Sequence, residues 1–169
     1  MEKFNRKKIA YKFCKTLVNA GFNFVSGVPC AAQKYFIANF SISSKIKHIP
    51  ATRESEAIGI AAGAYLAGKK VLLYMQNSGL MNSISDITSL LISYRIPLLF
   101  LVTWRGAPGE DAPQHLINGK SMINVLKSIG LRSKILTKNN MENIIKSANQ
   151  WLKTKNVPFV ILIIRGVLK

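Results

Sequence analysis

The segment from Lys45 to Arg105 alternates between apolar strand patterns and helical patterns, and this alternation restricts the possible folds more than any other feature of the chain. Glycine and proline residues divide the segment into strand, helix, strand, helix, strand. Two strands joined by a helix run parallel, because the helix carries the chain back to the starting edge of the sheet. The sequence therefore predicts an α/β fold: an open, mostly parallel sheet with helices on both faces.

The same alternation continues on both sides of this segment. Apolar stripes at helical spacing predict an N-terminal helix around Ile9 to Leu17 and another helix from Met141 to Leu152. Between Trp104 and Gly119 the pattern predicts a long irregular connection, and such connections are usually functional in compact domains. The predicted strands cover residues 22–26, 45–51, 70–75, 96–103, 134–137 and 157–164. The other predicted helices cover residues 31–40, 54–67, 80–93 and 120–129.

The composition indicates one domain that spans residues 1–169. With 169 residues and 49% hydrophobic content, the chain can bury a single core. Its two cysteines, Cys14 and Cys30, lack metal-type spacing and predict neither a disulfide framework nor a zinc site. No apolar run approaches the ~20 residues that cross a bilayer, and no apolar signal segment begins the chain. We therefore expect a soluble, cytoplasmic protein with no membrane partner.

The net charge is strongly positive, because 24 Lys and Arg residues face seven acidic residues and give a formal charge of +17. Nucleic acid, an acidic protein partner and an anionic substrate are all consistent with this charge. A solvated Lys-rich surface is the simpler interpretation, because the basic residues are spread towards both termini without interleaved aromatic residues. The pattern therefore makes nucleic acid the less favoured partner.

In an open parallel sheet, ligands bind at the carboxyl ends of the strands, and Glu54 follows one predicted strand directly. A carboxylate is favoured in the first turn of a helix by ~0.3–1 kcal/mol, so this position by itself fits either a helix-start residue or a site residue. His48 lies within a predicted strand and is expected to be packed, whereas His115 lies in the predicted connection and is the better site candidate. Cys30 is expected to be a small packed thiol.

Sequence motifs for other common enzyme classes are absent. The chain contains no GxGxxG, no GxxxxGK[ST] and no recognisable Ser/His/Asp set, so dinucleotide, nucleoside triphosphate and hydrolase functions lack their signatures. The helix that follows Glu54 contains Gly59 and Gly63, each of which costs ~1 kcal/mol of helix propensity relative to Ala. We expect that packing or a ligand needs the space beside these glycines, most simply close packing against another subunit.

Several long motifs in a fixed order resemble one family. Over Gly21 to Leu131 the chain resembles the pyrimidine-binding domain of thiamine-diphosphate-dependent enzymes, and most closely the sulfopyruvate and phosphonopyruvate decarboxylases. The motifs are GVPC at 27–30, ATRESEAIGIAAGAYLAGKK at 51–70, YMQNSGLMNSISDITSL at 74–90, YRIPLL at 94–99 and WRGAPGEDAPQH at 104–115.

The resemblance implies a role for each candidate site residue. Glu54 falls on the family's catalytic glutamate, which hydrogen-bonds the aminopyrimidine ring of thiamine diphosphate and promotes its imino tautomer. By the same resemblance, cofactor-binding residues are Pro29, Gln76, Asn77, Ser78 and Gly79, together with Glu54 itself. The residues expected on the substrate side are Trp104, Arg105, Gln114 and His115, with Arg105 or His115 suited to an anionic head group. No metal ligand is implied in this chain.

Two departures from the family pattern narrow the expected substrate. Ordinary pyruvate decarboxylases carry an acidic residue where this chain has Ala31, and a histidine pair where it has only His115. We therefore expect an anionic 2-oxo acid, 3-phosphonopyruvate or 3-sulfopyruvate. A split architecture points to the sulfonate and the Pro113-Gln114-His115 sequence to the phosphonate, with a slight preference for the phosphonate.

The chain also lacks the GDG motif through which family members bind the diphosphate and Mg²⁺. The resemblance therefore implies the α subunit of a heteromeric decarboxylase, in which a separate β subunit supplies the diphosphate-binding domain and holds most of the Mg²⁺ site. A higher hetero-oligomer is expected, and some of the positive charge could meet an acidic β chain. The alternative is non-enzymatic: a solitary binding or regulatory module, or a basic nucleic-acid-binding protein.

Overall fold

The computed structural model describes residues 2–109 and 113–164 as an α/β fold. The strands are β1 (Phe24–Gly27), β2 (Lys47–Pro50), β3 (Val71–Gln76), β4 (Leu99–Trp104), β5 (Arg132–Ile135) and β6 (Phe159–Ile164). The helices are α1 (Glu2–Asn19), α2 (Lys34–Ile42), α3 (Glu54–Leu66), α4 (Asn77–Asn82), α5 (Ile84–Asp86), α6 (Pro113–Ser128) and α7 (Met141–Lys155). A 3₁₀ turn (Ala31–Gln33) precedes α2, and a π-helical turn (Ile87–Ile92) follows α5.

The six strands form one sheet in the order β2-β1-β3-β4-β6-β5, and every neighbouring pair is parallel. The predicted fold class is therefore confirmed. Along the chain, the connection from β1 leads to one side of the sheet at β2 and then to the other side at β3. Ligands of open α/β folds bind at such a reversal, at the carboxyl ends of the strands.

Both faces of the sheet are covered, which explains why the central strands are almost entirely apolar. Along β3 the side chains alternate between the two cores: Leu72 and Tyr74 join one core, and Leu73 and Met75 join the other. The first core contains buried residues of α1, α2 and α7, and the second contains those of α3, α4 and α6. Burial raises the pKa of Tyr74 to about 12.

Several element boundaries differ from the predictions, among them the starts of β4 and of the helix after β3. β4 begins at Leu99 rather than Ile96, because Arg95 adopts a left-handed φ of 54° and Pro97 follows it. The helix predicted from Leu80 begins at Asn77, directly after β3. Gln76 is its N-terminal cap.

The predicted irregular connection from Trp104 to Gly119 is also wrong in its second half. Helix α6 begins at Pro113, and Gln114 and His115 lie in its first turn. Proline suits this position because its fixed φ matches a helix and its missing N–H would have had no helical partner. Residues 110–112 of the predicted connection lie outside the described residues.

The packed position predicted for His48 agrees with the structure, whereas Cys30, predicted to be packed, is only half-buried. His48 packs beside Phe40 and Tyr74, and its two ring nitrogens lie 2.9 Å from Ser41 Oγ and 3.0 Å from Tyr74 Oη. Partial burial lowers the pKa of His48. Cys14 and Cys30 are both free thiols. Among the helices of the described residues, none combines the length and the apolar character needed to span a membrane.

Candidate active site

A cavity of about 290 Å³ opens at the carboxyl ends of the strands, where the chain order reverses between β1 and β3. The loop after β1 forms one wall, the start of α3 and the start of α4 form the next, and the residue after β4 completes the lining. The described lining residues are Val28, Pro29, Cys30, Ala31, Ala32, Glu54, Gln76, Ser78 and Arg105.

Glu54 is the first residue of α3 and reaches the cavity because a different carboxylate caps the helix. Glu56 Oε2 accepts hydrogen bonds from the backbone N–H and hydroxyl of Thr52, each at 2.9 Å, and from the backbone N–H of Arg53 at 3.4 Å. These hydrogen bonds, chiefly from Thr52, hold the pKa of Glu56 below its usual range. A helix-start role therefore belongs to Glu56 and does not account for Glu54.

The Glu54 side chain lies directly against Gly79 in the first turn of α4. A methyl group added at Gly79 would overlap the carboxyl group of Glu54. Gly79 is buried, and its missing side chain provides the space that the carboxyl group occupies. The two residues come from different crossovers of the sheet, so only the tertiary fold brings them together.

Gln76 and Ser78 form the floor between Glu54 and the strand ends. Gln76 Nε2 donates a hydrogen bond to Ser78 Oγ at 2.8 Å, which fixes both side chains at the rim of the cavity. Pro29, on the opposite wall, is exposed and presents its ring to the same space. The structure thus brings Pro29, Glu54, Gln76 and Ser78 into one lining, as their predicted roles around a cofactor require.

Asn77 occupies a different position from its neighbours. Its side chain is buried and does not line the described cavity. Its Nδ2 donates to the backbone carbonyl of Arg105 at 2.8 Å, and its Oδ1 accepts from the backbone N–H of Arg105 at 3.1 Å. Asn77 therefore contacts the loop that carries the predicted substrate-binding arginine.

The four predicted substrate-side residues separate into two groups. Arg105 lines the cavity with Glu54, whereas Trp104, Gln114 and His115 do not. Trp104 is buried, and its indole Nε1 donates to the carbonyl of Gly119 at 2.9 Å. Gln114 is exposed, and the backbone carbonyl of His115 lies against Gly106. Substrate roles for these three residues stay predictions.

Gln33 is a residue that the sequence reasoning missed. It is fully buried in the 3₁₀ turn, and its Nε2 donates to the carbonyl of Leu101 at 2.9 Å and to that of Met75 at 3.3 Å. These bonds tie the loop after β1 to the end of β3 and the middle of β4 and so fix one wall of the cavity. In the sequence, Gln33 is recognisable only as a single amide side chain near the start of an apolar predicted helix. Such single amides are also common on helix surfaces.

Comparison with known proteins places the chain in a family. Residues 7–128 match the family model described as "Thiamine pyrophosphate enzyme, N-terminal TPP binding domain". This match covers most of the chain and includes the residues of the cavity.

The chain belongs to the thiamine pyrophosphate enzymes. Among relatives of this enzyme domain, the sulfopyruvate decarboxylase subunit alpha of Methanococcus maripaludis is 36% identical over 150 residues, which are 88% of this chain and 90% of the relative. The corresponding subunit of Methanocaldococcus jannaschii is 37% identical over 147 residues, 86% of this chain and 87% of the relative. Phosphonopyruvate decarboxylase of Streptomyces viridochromogenes is 32% identical over 155 residues, 90% of this chain but only 39% of the relative.

A solved structure has the same fold as this thiamine pyrophosphate enzyme domain. The 2-oxoglutarate:ferredoxin oxidoreductase from Magnetococcus marinus aligns with a TM-score of 0.68 at 17% sequence identity. The alignment covers 97% of this chain and 29% of that chain. At this level of identity the likeness supports the α/β fold alone.

The donor groups of this thiamine pyrophosphate enzyme domain fit one end of thiamine diphosphate. A carboxyl group beside small and apolar residues can pair with a ring nitrogen of an aminopyrimidine, and Glu54 with Pro29, Ala31 and Ala32 provides this setting. Within residues 2–109 and 113–164, no group of three or more His, Cys, Asp or Glu side chains could hold a metal ion. The described residues therefore fit the aminopyrimidine end, and no described cluster is suited to bind the metal at the diphosphate end.

Proposed function

We propose that this chain is the α subunit of a two-subunit thiamine-diphosphate-dependent decarboxylase that acts on an anionic 3-substituted pyruvate. The observation that carries the proposal is the shared cavity of Glu54 and Arg105, with the Glu54 carboxyl group packed on Gly79. A carboxyl group and a guanidinium group in one small cavity can bind two differently charged groups at once. Membership of the thiamine pyrophosphate enzymes supports the same assignment.

The proposal assigns roles to Glu54, Gly79 and Arg105. Glu54 would hold a ring nitrogen of the aminopyrimidine by a hydrogen bond at its carboxyl group, which can carry or release a proton, and Gly79 leaves the space that this carboxyl group occupies. Arg105 binds the anionic head group of the substrate, because a guanidinium group can donate two parallel hydrogen bonds to a phosphonate or a sulfonate. When bound, thiamine diphosphate supplies the electron-accepting thiazolium ring that loss of carbon dioxide requires.

A partner subunit is needed to complete this site. We infer a β subunit that holds the diphosphate and Mg²⁺, because the described part of this chain has no cluster suited to a metal ion and two full-length relatives carry the name of an α subunit. Gly59 and Gly63 on α3 are exposed, and a methyl group at either would contact nothing within 4 Å. Packing against the described residues therefore does not explain these glycines, whereas close approach of a β subunit does.

Two observations support 3-sulfopyruvate as the preferred substrate. The relatives that match over most of their own length are sulfopyruvate decarboxylase α subunits, whereas this chain spans 39% of the phosphonopyruvate decarboxylase. The sequence-based preference for the phosphonate rested on the Pro113-Gln114-His115 sequence, and none of these residues lines the described cavity. Arg105 is compatible with either head group.

The proposal is tested by purifying the tagged chain from its native cytoplasm and identifying what accompanies it by mass spectrometry. We expect a stoichiometric subunit with a GDG motif and a downstream asparagine. The reconstituted complex, supplied with thiamine diphosphate and Mg²⁺, should release carbon dioxide from 3-sulfopyruvate faster than from 3-phosphonopyruvate, and from both faster than from pyruvate. A faster reaction with the phosphonate would overturn the substrate preference alone.

Failure of the proposal itself would have a different signature. A chain that purifies alone and releases no carbon dioxide from either substrate would favour a non-catalytic binding or regulatory module. If nucleic acid accompanies the chain instead, its affinity should fall steeply with salt and should not change when Glu54 is substituted.

A further inference from the structure

The pairing between β3 and β4 ends two residues before Arg105. The last paired residues are Gln76 and Thr103, and beyond them β3 turns into α4. The backbone of Arg105 therefore has no strand residue of β3 opposite it. The side chain of Asn77 takes that place, with hydrogen bonds of 2.8 Å to the carbonyl and 3.1 Å from the N–H of Arg105.

A primary amide suits this position because it carries the same donor and acceptor groups as a peptide unit. Asn77 is 1% exposed, so water does not substitute readily for these two bonds. Aspartate at this position would lose the donor and place a carboxylate against a carbonyl oxygen. Leucine, of similar size, would lose both bonds and leave two backbone groups of Arg105 without their partner.

The backbone on the other side of Arg105 is also fixed. Gly106 adopts a φ of +73° and packs so closely on the backbones of His115 and Gly119 that a methyl group would overlap the carbonyl of His115. Trp104 Nε1 donates to the carbonyl of Gly119 at 2.9 Å. Arg105 lies between these two fixed residues, so its backbone is held in one position. Its side chain lines the cavity with Glu54.

We propose that Asn77 is a positioning residue that sets where the Arg105 guanidinium meets the anionic head group of the substrate. This inference rests on the proposed function, because it gives Arg105 the role of head-group binding. It also separates Asn77 from its neighbours, which face the cofactor: Ser78 lines the cavity and Gly79 supports Glu54. One turn of α4 thus links the cofactor end and the substrate end of the site.

The kinetic test uses Asn77→Asp and Asn77→Leu in the reconstituted complex, with Asn82→Asp and Asn82→Leu as matched controls. Asn82 is exposed at the end of the same helix. For the Asn77 variants we expect the KM for 3-sulfopyruvate to rise at least ~10-fold, with a smaller change in kcat and an unchanged dissociation constant for thiamine diphosphate. An unchanged KM, or an equal loss of cofactor binding, would overturn the proposal.

A second measurement does not depend on activity. Amide hydrogen exchange at Arg105 in the full chain should be slow in the native protein and in Asn82→Leu, and fast in Asn77→Leu. Unaltered exchange in Asn77→Leu would overturn the positioning role whatever the kinetics show. If the complex is inactive on both substrates while exchange behaves as expected, the proposed function fails and the link between Asn77 and Arg105 stands.

Discussion

The carboxyl group of Glu54 packs against Gly79, in space that a side chain at position 79 would occupy. Glu56 lies two residues further along the helix, and its Oε2 accepts hydrogen bonds from Thr52 and Arg53. Two carboxylates in one helical turn therefore have separate tasks. Glu56 stabilises the helix start, and Glu54 is available to the cavity.

Substituting Glu54 by Gln should lower kcat of the reconstituted complex by at least ~10²-fold, the usual scale for loss of a positioned acid or base. Assembly with the β subunit should be unchanged, because the two side chains have nearly the same size. Glu56→Gln is the matched control: it should lower the thermal midpoint and leave kcat within ~3-fold of the native value. Equal turnover by Glu54→Gln and the native protein would contradict the assigned role.

Substituting Gly79 by Ala should displace the Glu54 carboxyl group, because the added methyl would overlap the movable end of that side chain rather than backbone. We expect a large loss of kcat with a small change in thermal midpoint. The double variant with Glu54→Gln should be no slower than Glu54→Gln alone, since both changes remove the same function. Additive losses would show that Gly79 acts independently of Glu54.

At the level of elements, α3 combines a buried stripe with an unusually open outer surface. Ala57 and Ala61 pack against the sheet, whereas Gly59 and Gly63 are exposed and leave open space beside the helix. Glycine within a helix lowers stability unless something requires the space. Among the described residues nothing within 4 Å does, which agrees with the proposed contact to a β subunit.

The double substitution Gly59→Ala and Gly63→Ala should stabilise the isolated chain by ~1 kcal/mol per site in urea unfolding, because alanine is the better helix former. The same variant should bind the β subunit more weakly, which analytical ultracentrifugation can measure. Ser55→Ala, on the exposed start of the helix, serves as the control and should leave assembly unchanged. Higher stability with unaltered assembly would place the β subunit on another surface.

For the molecule as a whole, the formal charge of +17 opposes the compact state through repulsion. On α1, Lys7 and Lys8 are exposed to solvent. Lys12, on the same helix, forms an ion pair with Glu142, with Nζ 3.3 Å from Oε1. Such exposed pairs contribute little, at most ~1 kcal/mol. Most of the positive charge is therefore balanced by solvent ions.

Raising sodium chloride from ~10 mM to ~200 mM should increase the thermal midpoint of the isolated chain. At physiological ionic strength and above, the screening length falls to about 8 Å or less, which weakens the repulsion between the positive charges. Replacing Lys7 and Lys8 by Gln should make the increase smaller, since less repulsion remains to be screened. A midpoint that falls or stays constant with salt would show that the positive charges are not a net cost to folding.

The order of strands and helices followed from the sequence, because apolar periodicity is a local property that burial on one or two faces imposes on each element. The motifs around Glu54 likewise indicated the family, which the family comparison confirms, and they predict a catalytic role for Glu54. The grouping of residues within the site depended on the tertiary structure, because it is set by how the strand ends meet. Arg105 reaches the cavity directly after β4, whereas His115 is carried into α6 by Pro113. The side chain of Asn77 pairs with the backbone of Arg105, because the pairing between β3 and β4 ends two residues before Arg105.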